Sequence, residues 1–508
     1  MSVDVGSSGI KAAAFDLRGN PLDVEVQNCD YLPAAPGFYE LDPDETWRRT
    51  TEAVRRLLRR VPLRGVAAVG VSAQLGLVAV DRSGKPLRPA ITWMDHRAAA
   101  EAKLIRQRLG EAALYRVTGR RATGELLAAK VLWIKQYEPA VYDRTVRFDS
   151  LKDYLVTRLG GQPGTDPAHA SYTLLYDVVR GIWDEGILQE LGIDLSRLPQ
   201  VLPAETIVGQ VSKEAAELTG LVAGTPIVLG GPDGTVGGLG AGLIGVGASV
   251  NVVGTTDVVF TCLERPVLDP DHRVVLNRHV VPGRWLIGGP MSITGGFLKW
   301  FAKQFLKEDA DRAAAEGELP YPFLDRQAAC LEPGSGGLVC VPSMAGERAP
   351  LWDPNVRGVL LGLSPEHTKA HVYRAALEGS AFALRRMLEA LADAGVEVAD
   401  LRVTGGGSKS SLWRQIRADV TGRRVLLPAV HQATMLGSSI LAAVGVGFFD
   451  GWDAAVRAMV DVAESTVPDP ENTARYAPYY SIFEDLYPRL RQVFSDLADL
   501  PSETDRRG

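Results

Sequence analysis

The sequence predicts an α/β protein in two domains that share one plan. Its 508 residues are enough for two large domains. Hydrophobic residues at 46% and charged residues at 23% are the mix of an ordinary globular chain, which excludes a disordered or fibrous one. The third observation is internal repetition. A strand, a glycine turn carrying hydroxyls and a second strand occur near the start and again about 245 residues later.

Residues 3–22, VDVGSSGIKAAAFDLRGNPL, read as two strands around a turn. Residues 68–87, AVGVSAQLGLVAVDRSGKPL, repeat the plan, and both close with Asp-x-x-Gly-x-Pro-Leu: Asp16, Gly19, Pro21 and Leu22, then Asp81, Gly84, Pro86 and Leu87. Each is expected to be a β-hairpin, an apolar strand reversed by turn residues. Between them a helix is announced by Asp42 as N-cap, Pro43 at the first helical position and Glu45 three residues after the cap. SVNVVGTTDVVFTCL, at 249–263, is the distant copy. One copy per domain places the boundary near residue 245, giving domains 1–244 and 245–508. The Pro- and Gly-rich breaks at 331–337 and 468–470 read as loops within the second half. In the final helix Tyr476, Tyr480, Phe483 and Tyr487 are spaced four, three and four apart, a stripe expected of core packing. That helix is a candidate to pack back on the first domain.

Several function classes are disfavoured. With 55 basic against 61 acidic residues the net charge is −6, which gives no footprint for nucleic acid. The run of arginines at 55–60 lies on a predicted helix and reads as a solvated face. Cys29, Cys262, Cys330 and Cys340 are too few and too scattered for a disulfide framework or a zinc knuckle. The start of the chain has no basic segment followed by an apolar one, so the expectation is a cytoplasmic protein. The uncharged stretch 234–256 is long enough to span a bilayer, but its glycines suit loops between buried strands and a helix, not a membrane span. Gly240, Gly242 and Gly245 match G-x-G-x-x-G without the strand before or the acid after that a dinucleotide site needs. His367 and His371 lack a third metal ligand and read as helix-surface residues. Neither a P-loop sequence nor a G-x-S-x-G elbow is present.

What remains suits polyphosphate. Gly6, Ser7, Ser8 and Gly9 form a tight turn whose backbone N–H groups and hydroxyls can approach phosphate oxygens. Asp4, at the strand end, could hold a hydrated Mg²⁺, which prefers carboxylate, water and phosphate oxygens. Gly254, Thr255 and Thr256 offer a second turn of the same kind. The stretch PIVLGGPDG, at 226–234, is a buried strand ending in glycines and Asp233. An acid there suits a catalytic base facing a cleft or an N-cap for the next helix, and the two roles are compatible.

Together these residues resemble the FGGY family of carbohydrate kinases, of the ribonuclease-H-like, actin-like fold, from about Asp4 to Tyr487. The second family signature is met by Gly358, Gly362 and Leu363 followed by His371, Val372, Ala375, Ala376, Leu377 and Glu378. The first is partly visible from Lys130 to Gln136. Asp4 to Ser8 matches the first phosphate motif, with Ser7 where Thr is usual. Gly405, Gly406, Gly407 and Ser408 look like the adenosine loop, with Trp413 to Gly422 on the helix that follows. Gly346, Glu347, Arg348 and Pro350 match the G-E-R-x-P loop. Within the family the nearest likeness is to xylulose kinases, through Trp93, Asp95 and Arg97, through Lys152, Asp153, Tyr154 and Leu155, and through Asp233. One departure concerns the sugar: where those kinases carry G-Q-M-H-G, this chain has Ser72, Ala73, Gln74, Leu75 and Gly76, with no histidine.

The resemblance implies two ribonuclease-H-like (actin-like ATPase) domains around an interdomain cleft, and ATP-dependent phosphorylation of D-xylulose to D-xylulose 5-phosphate. Asp233 would be the general base, and Asp4 would position Mg²⁺ with Asp233, partly through water. ATP would meet Gly6, Ser7, Ser8, Lys11, Gly254, Thr255, Thr256, Gly405, Gly406, Gly407 and Ser408. The sugar would meet Gln74, Leu75, Trp93, Asp95 and Asp233. A homodimer is a candidate assembly, being common in the family. Another sugar or polyol (L-xylulose, ribulose, a deoxy sugar or glycerol) is the alternative within the class, and a non-catalytic actin-like sugar sensor or ATPase the alternative outside it.

Overall fold

A computed structural model describes residues 1–7, 9–61, 65–291, 293–315 and 320–500. Two mixed sheets dominate it. The first contains β1 (Ser2–Gly6), β2 (Gly9–Phe15), β3 (Pro21–Gln27), β4 (Val69–Ala73), β5 (Ile207–Gln210) and β6 (Pro226–Pro232), in the order β5-β6-β4-β1-β2-β3. The second contains β7 (Ser249–Val253), β8 (Asp257–Leu263), β9 (Val275–Arg278), β10 (Trp285–Pro290), β11 (Leu401–Thr404), β12 (Val425–Pro428) and β13 (Val462–Thr466), in the order β9-β10-β8-β7-β11-β12-β13. In each, a glycine-turn hairpin leads and two later strands extend the sheet in parallel. β1 pairs with β4 and β4 with β6; β7 pairs with β11 and β11 with β12. The repetition visible in the sequence is therefore a repetition of topology.

The second expected hairpin does not form. Val69–Ala73 stays in the first sheet, whereas Gly76–Val80 leaves it and pairs antiparallel with Ala90–Thr92 and Arg147–Ser150 in a separate four-stranded sheet. The pairing decides this: Gln74 still donates its N–H to Val5, and the next N–H···O contact, Trp93 to Leu75, already belongs to the other sheet. What repeats faithfully is the turn that follows, with Asp16 and Asp81 each accepting from nearby backbone N–H groups.

The helices that bear on the site are α1 (Pro43–Leu58), α2 (Pro167–Ser171), α3 (Asp233–Gly240), α4 (Thr294–Phe305), α5 (Lys369–Asp393), α6 (Ser411–Thr421), α7 (Ala433–Gly445) and α8 (Pro470–Ala498). Asp42 caps α1 as expected, accepting from the N–H groups of Asp44 and Glu45. Glu45 itself pairs with Arg48 and Arg49 instead of returning to the cap. The stretch 234–256 divides between α3, a turn and β7. No described helix is long and apolar enough to cross a membrane.

Helix α7 comes from the second half of the chain yet packs against α3 and the first sheet. Glycines permit that approach. A Cβ on Gly70 would lie 2.2 Å from the Ser438 carbonyl oxygen, and one on Gly437 would lie 1.9 Å from that of Val236. Gly240, part of the dinucleotide-like pattern, serves the same contact, with a Cβ 1.8 Å from the Ala433 oxygen. Helix α8, the candidate to return to the first domain, instead packs on α5 and α6. Tyr476, Tyr480 and Phe483 are buried in that cluster, and Phe382 of α5 lies within 6.1 Å of each ring. Three residues of the expected core stripe are there, while Tyr487 is half-buried and donates its hydroxyl to Asp353; the face they cover belongs to the second half.

Candidate active site at the strand ends

Parallel strands of an open α/β sheet end together, and their carboxyl ends are where such a fold binds ligands. At the end of the first sheet β1 carries Asp4 and Gly6 and leads to Ser7, β4 carries Ser72 and leads to Gln74 and Leu75, and β6 leads into Asp233 at the start of α3. The register sets them side by side: Asp4 lies opposite Ser72, and Ser72 opposite Gly231, two residues before Asp233. Lys11 on β2 faces Asp4 across the hairpin. Ser8 lies outside the described residues.

Asp4 is buried, with the Ser72 hydroxyl donating to Oδ1 at 2.8 Å. Burial pushes its carboxyl up, the charge of Asp233 adds to the rise, and Lys11 and the Ser72 hydroxyl oppose it. Burial pushes the Asp233 carboxyl up as well, against the N–H of Gly234, which donates to Oδ1 at 2.7 Å, and the charges of His169 and Lys11. Two carboxyls whose proton affinity burial raises, one of them raised further by the other's charge, form a donor set that a hard cation would relieve. Mg²⁺ fits these residues on that ground.

Beside the acids runs a chain of donors. The Trp93 indole N–H donates to Ser7 Oγ at 3.0 Å, so the Ser7 proton is free to go to Gln74 Oε1, also at 3.0 Å. The Tyr31 hydroxyl donates to the same oxygen at 3.2 Å. Gln74 is 1% exposed, and its Nε2 has no partner among the described residues. A buried amide with an unused donor is costly unless something accepts from it, so Gln74 has a donor to offer a polar ligand.

The second sheet repeats the geometry. Gly254, Thr255 and Thr256 turn between β7 and β8, and the N-terminus of α4 lies against them: Gly296 donates its N–H to the Thr255 carbonyl, and Lys299 Nζ to Thr255 Oγ1 at 3.2 Å. At the end of the neighbouring β11, Gly405 has φ +86° and a Cβ there would meet the Val253 oxygen at 2.6 Å. The loop of Gly405, Gly406, Gly407 and Ser408 is thus pressed onto the end of β7, beside the threonine turn. Two backbone-rich loops on adjacent strand ends make a cradle suited to phosphate and nucleoside.

Both halves match known family models. Residues 1–240 fit the N-terminal domain, and residues 249–446 the C-terminal domain, of the FGGY family of carbohydrate kinases. The chain belongs to that family. It is similar to the gluconokinase of Bacillus subtilis (strain 168), 29% identical over 501 residues covering 98% of this chain and 97% of the relative. It is similar also to a xylulose kinase of Staphylococcus epidermidis (strain ATCC 12228 / FDA PCI 1200), 30% identical over 500 residues covering 98% of each. Among solved structures, the xylulose kinase from Rhodospirillum rubrum superposes with a TM-score of 0.89 at 30% identity, covering 97% of this chain and 99% of that one. This FGGY protein is a sugar kinase in two α/β halves, and ATP is the phosphoryl donor its family uses.

In this FGGY kinase the oxygens of Asp95, an expected sugar contact, are already used within the protein. The side chain is fully buried, and Oδ1 accepts from the N–H and Nε of Arg97, Oδ2 from the N–H of Tyr39 and an Arg97 amino group. Four donors fill the four acceptor positions of a carboxylate, so Asp95 positions the segment that carries Trp93. Glu378 of the family signature is likewise internal, accepting from Gly334, Ser335, Arg374 and Tyr476 and so tying α5 to α8. His367 and His371 cap their own turns through Ser364 and Thr368. Sequence reasoning missed Tyr31, which no motif marks, and His169 with Asp166 at the cavity of Leu75, Gly76 and Lys130, where they join Lys152 of the segment that resembled the xylulose kinases. The Asp-Pro start of α2 was the available signal for Asp166, which caps it.

Proposed function

We propose that this kinase phosphorylates D-xylulose at its terminal 5-hydroxyl, giving D-xylulose 5-phosphate. The observation that carries the reading is the pairing of Asp233 with Asp4 at the strand ends, beside the unused donor of Gln74. Full-length likeness to xylulose kinases, in sequence and in structure, supports the ketopentose.

In this reading Asp233 accepts the proton of the sugar hydroxyl as its oxygen attacks the γ-phosphorus of ATP and the bond to the β-phosphate oxygen breaks. The raised proton affinity of Asp233 suits that task, because a base must hold the proton it takes. Gly6 and Ser7 face the phosphates from one half, Gly254, Thr255 and Thr256 from the other, with Lys11 as a nearby cation. Gly405, Gly406, Gly407 and Ser408 take the adenosine. Mg²⁺, held by Asp4 with Asp233 and partly through water, would supply charge neutralisation on the phosphates. Gln74 orients a sugar hydroxyl, Trp93 holds Ser7 in place, and Leu75 forms an apolar wall. Residues 1–244 and 245–508 are taken as the two domains.

A second reading is a hexonate in place of the ketopentose, favoured by the gluconokinase relative and by the buried cation Lys130 at the cavity wall. Mg-ATP turnover by the purified protein with D-xylulose, L-xylulose, ribulose, gluconate and glycerol in turn decides. D-xylulose should give the highest kcat/KM; gluconate ahead of it would replace the first reading by the second.

A further inference from the structure

We propose that His169 is a specificity-determining residue of this kinase, its free ring nitrogen accepting a hydrogen bond from a hydroxyl of the sugar chain. The inference rests on the sugar-kinase reading but not on the identity of the sugar. His169 sits on α2 and is 4% exposed. Its Nδ1 lies 2.9 Å from Asp166 Oδ2, while Nε2 is buried with no partner among the described residues. The ring lines the same cavity as Leu75, Gly76, Glu125, Lys130 and Tyr172, and it lies close enough to Asp233 for the two side chains to influence each other electrostatically.

The tautomer follows from the support. Asp166 is fully buried, caps α2 through the N–H groups of Ala168 and His169, and has Lys152 Nζ 3.3 Å from Oδ2. Burial works against its ionisation, yet Lys152 and His169 outweigh it and hold the carboxyl below its usual range. A carboxylate in that state accepts a hydrogen bond from Nδ1–H, which in the neutral ring leaves the Nε2 lone pair unused. An imidazole so held is a directed acceptor, and a polyol hydroxyl is the donor it suits. Leu75 offers no hydrogen bond on its side of the cavity. The imidazole thus enters from α2, a different element from the one where the family pattern carries its histidine.

The test uses the sugar that the wild type turns over best, together with its monodeoxy analogues, at saturating Mg-ATP. His169→Leu should raise KM for the parent sugar about 10- to 100-fold, the cost of leaving a buried polar partner unmet, with kcat within a few-fold. For the one analogue lacking the hydroxyl that His169 reads, wild type and variant should agree within about threefold. His169→Gln, which keeps an acceptor, should recover part of the KM. Calorimetric titration of the same sugars without ATP reads the same differences as dissociation constants. An unchanged KM in His169→Leu, or an equal loss for parent and every analogue, overturns the proposal. D-xylulose inert while another polyol shows the His169 effect overturns the substrate reading alone. Should His169→Leu fail to fold, His169→Gln carries the comparison, and equal constants for it and wild type on every sugar overturn the proposal.

Discussion

Ser72 donates its hydroxyl to Asp4 across 2.8 Å between neighbouring parallel strands, and both side chains are buried. The contact fixes the orientation of an acid that has Lys11 on one side and Asp233 on the other. Replacing Asp4 by Asn should therefore remove the cation ligand and keep the packing. The expected outcome is a loss of at least about 100-fold in kcat and a rise in the Mg²⁺ concentration for half-maximal turnover. Ser72→Ala should cost only about tenfold, the worth of one buried hydrogen bond to a charged group. A magnesium titration of turnover separates the two variants, and Asp4→Asn matching wild type would remove Asp4 from the metal site.

Asp233→Asn tests the base. The amide keeps the size of the side chain and its place at the start of α3, so sugar binding should change little. Turnover should fall about 10²- to 10⁴-fold, the usual share of general-base catalysis. Steady-state kinetics distinguish this from a binding defect, which would raise KM and spare kcat. Near-full kcat in the variant would assign proton removal to another group.

Gly405→Ala tests the nucleotide loop. Its positive φ strains any residue with a Cβ, and the added methyl would meet the Val253 oxygen at 2.6 Å. The loop must move off the end of β7 to admit it. The KM for ATP should rise several-fold or more while the KM for the sugar stays put. Equal shifts in both would mean that the loop does not belong to the nucleotide site.

The sequence showed strand ends better than strand partners. The turns at Gly6 and Gly254, the Asp42 cap and the strand before Asp233 each depend on residues next to one another, and the structure forms all of them. The departure of Gly76–Val80 into a separate sheet depends on Ala90–Thr92 and Arg147–Ser150, partners that no local pattern names. Helix α7 is uncharged and buried along most of its length, so its own sequence does not say which sheet it covers; Gly70 and Gly437 decide that only once the backbones meet. Asp95 carries the same lesson at the site. Its motif resembled a sugar contact, but Arg97, two residues on, folds back and uses its oxygens. His169 was hidden because its neighbours Asp166 and Lys152 become a support only in three dimensions.

A last prediction concerns acid stability and rests on His279. This ring is 2% exposed and both its nitrogens are used: the Val281 N–H donates to Nδ1 at 2.9 Å, and Nε2 lies 2.7 Å from the Leu243 carbonyl oxygen. Nδ1 accepts, so Nε2 must carry the proton, and the ring is neutral in the folded protein. Burial lowers its pKa from 6.5 to about 4, the Leu243 carbonyl opposing that shift and Arg284 adding to it. The unfolded chain takes up the proton near pH 6.5 and the folded chain only near pH 4, so the stability this residue contributes is full above pH 6.5. It is lost as the pH falls toward 4. Between pH 7.5 and pH 5 the wild type should lose about 2 kcal/mol through this group alone. His279→Gln cannot take up that proton. It should be less stable at pH 7.5, since the Val281 N–H loses a matched acceptor, yet lose less on acidification. Urea unfolding of both proteins at the two pH values measures the difference, and parallel losses would show that His279 titrates alike folded and unfolded.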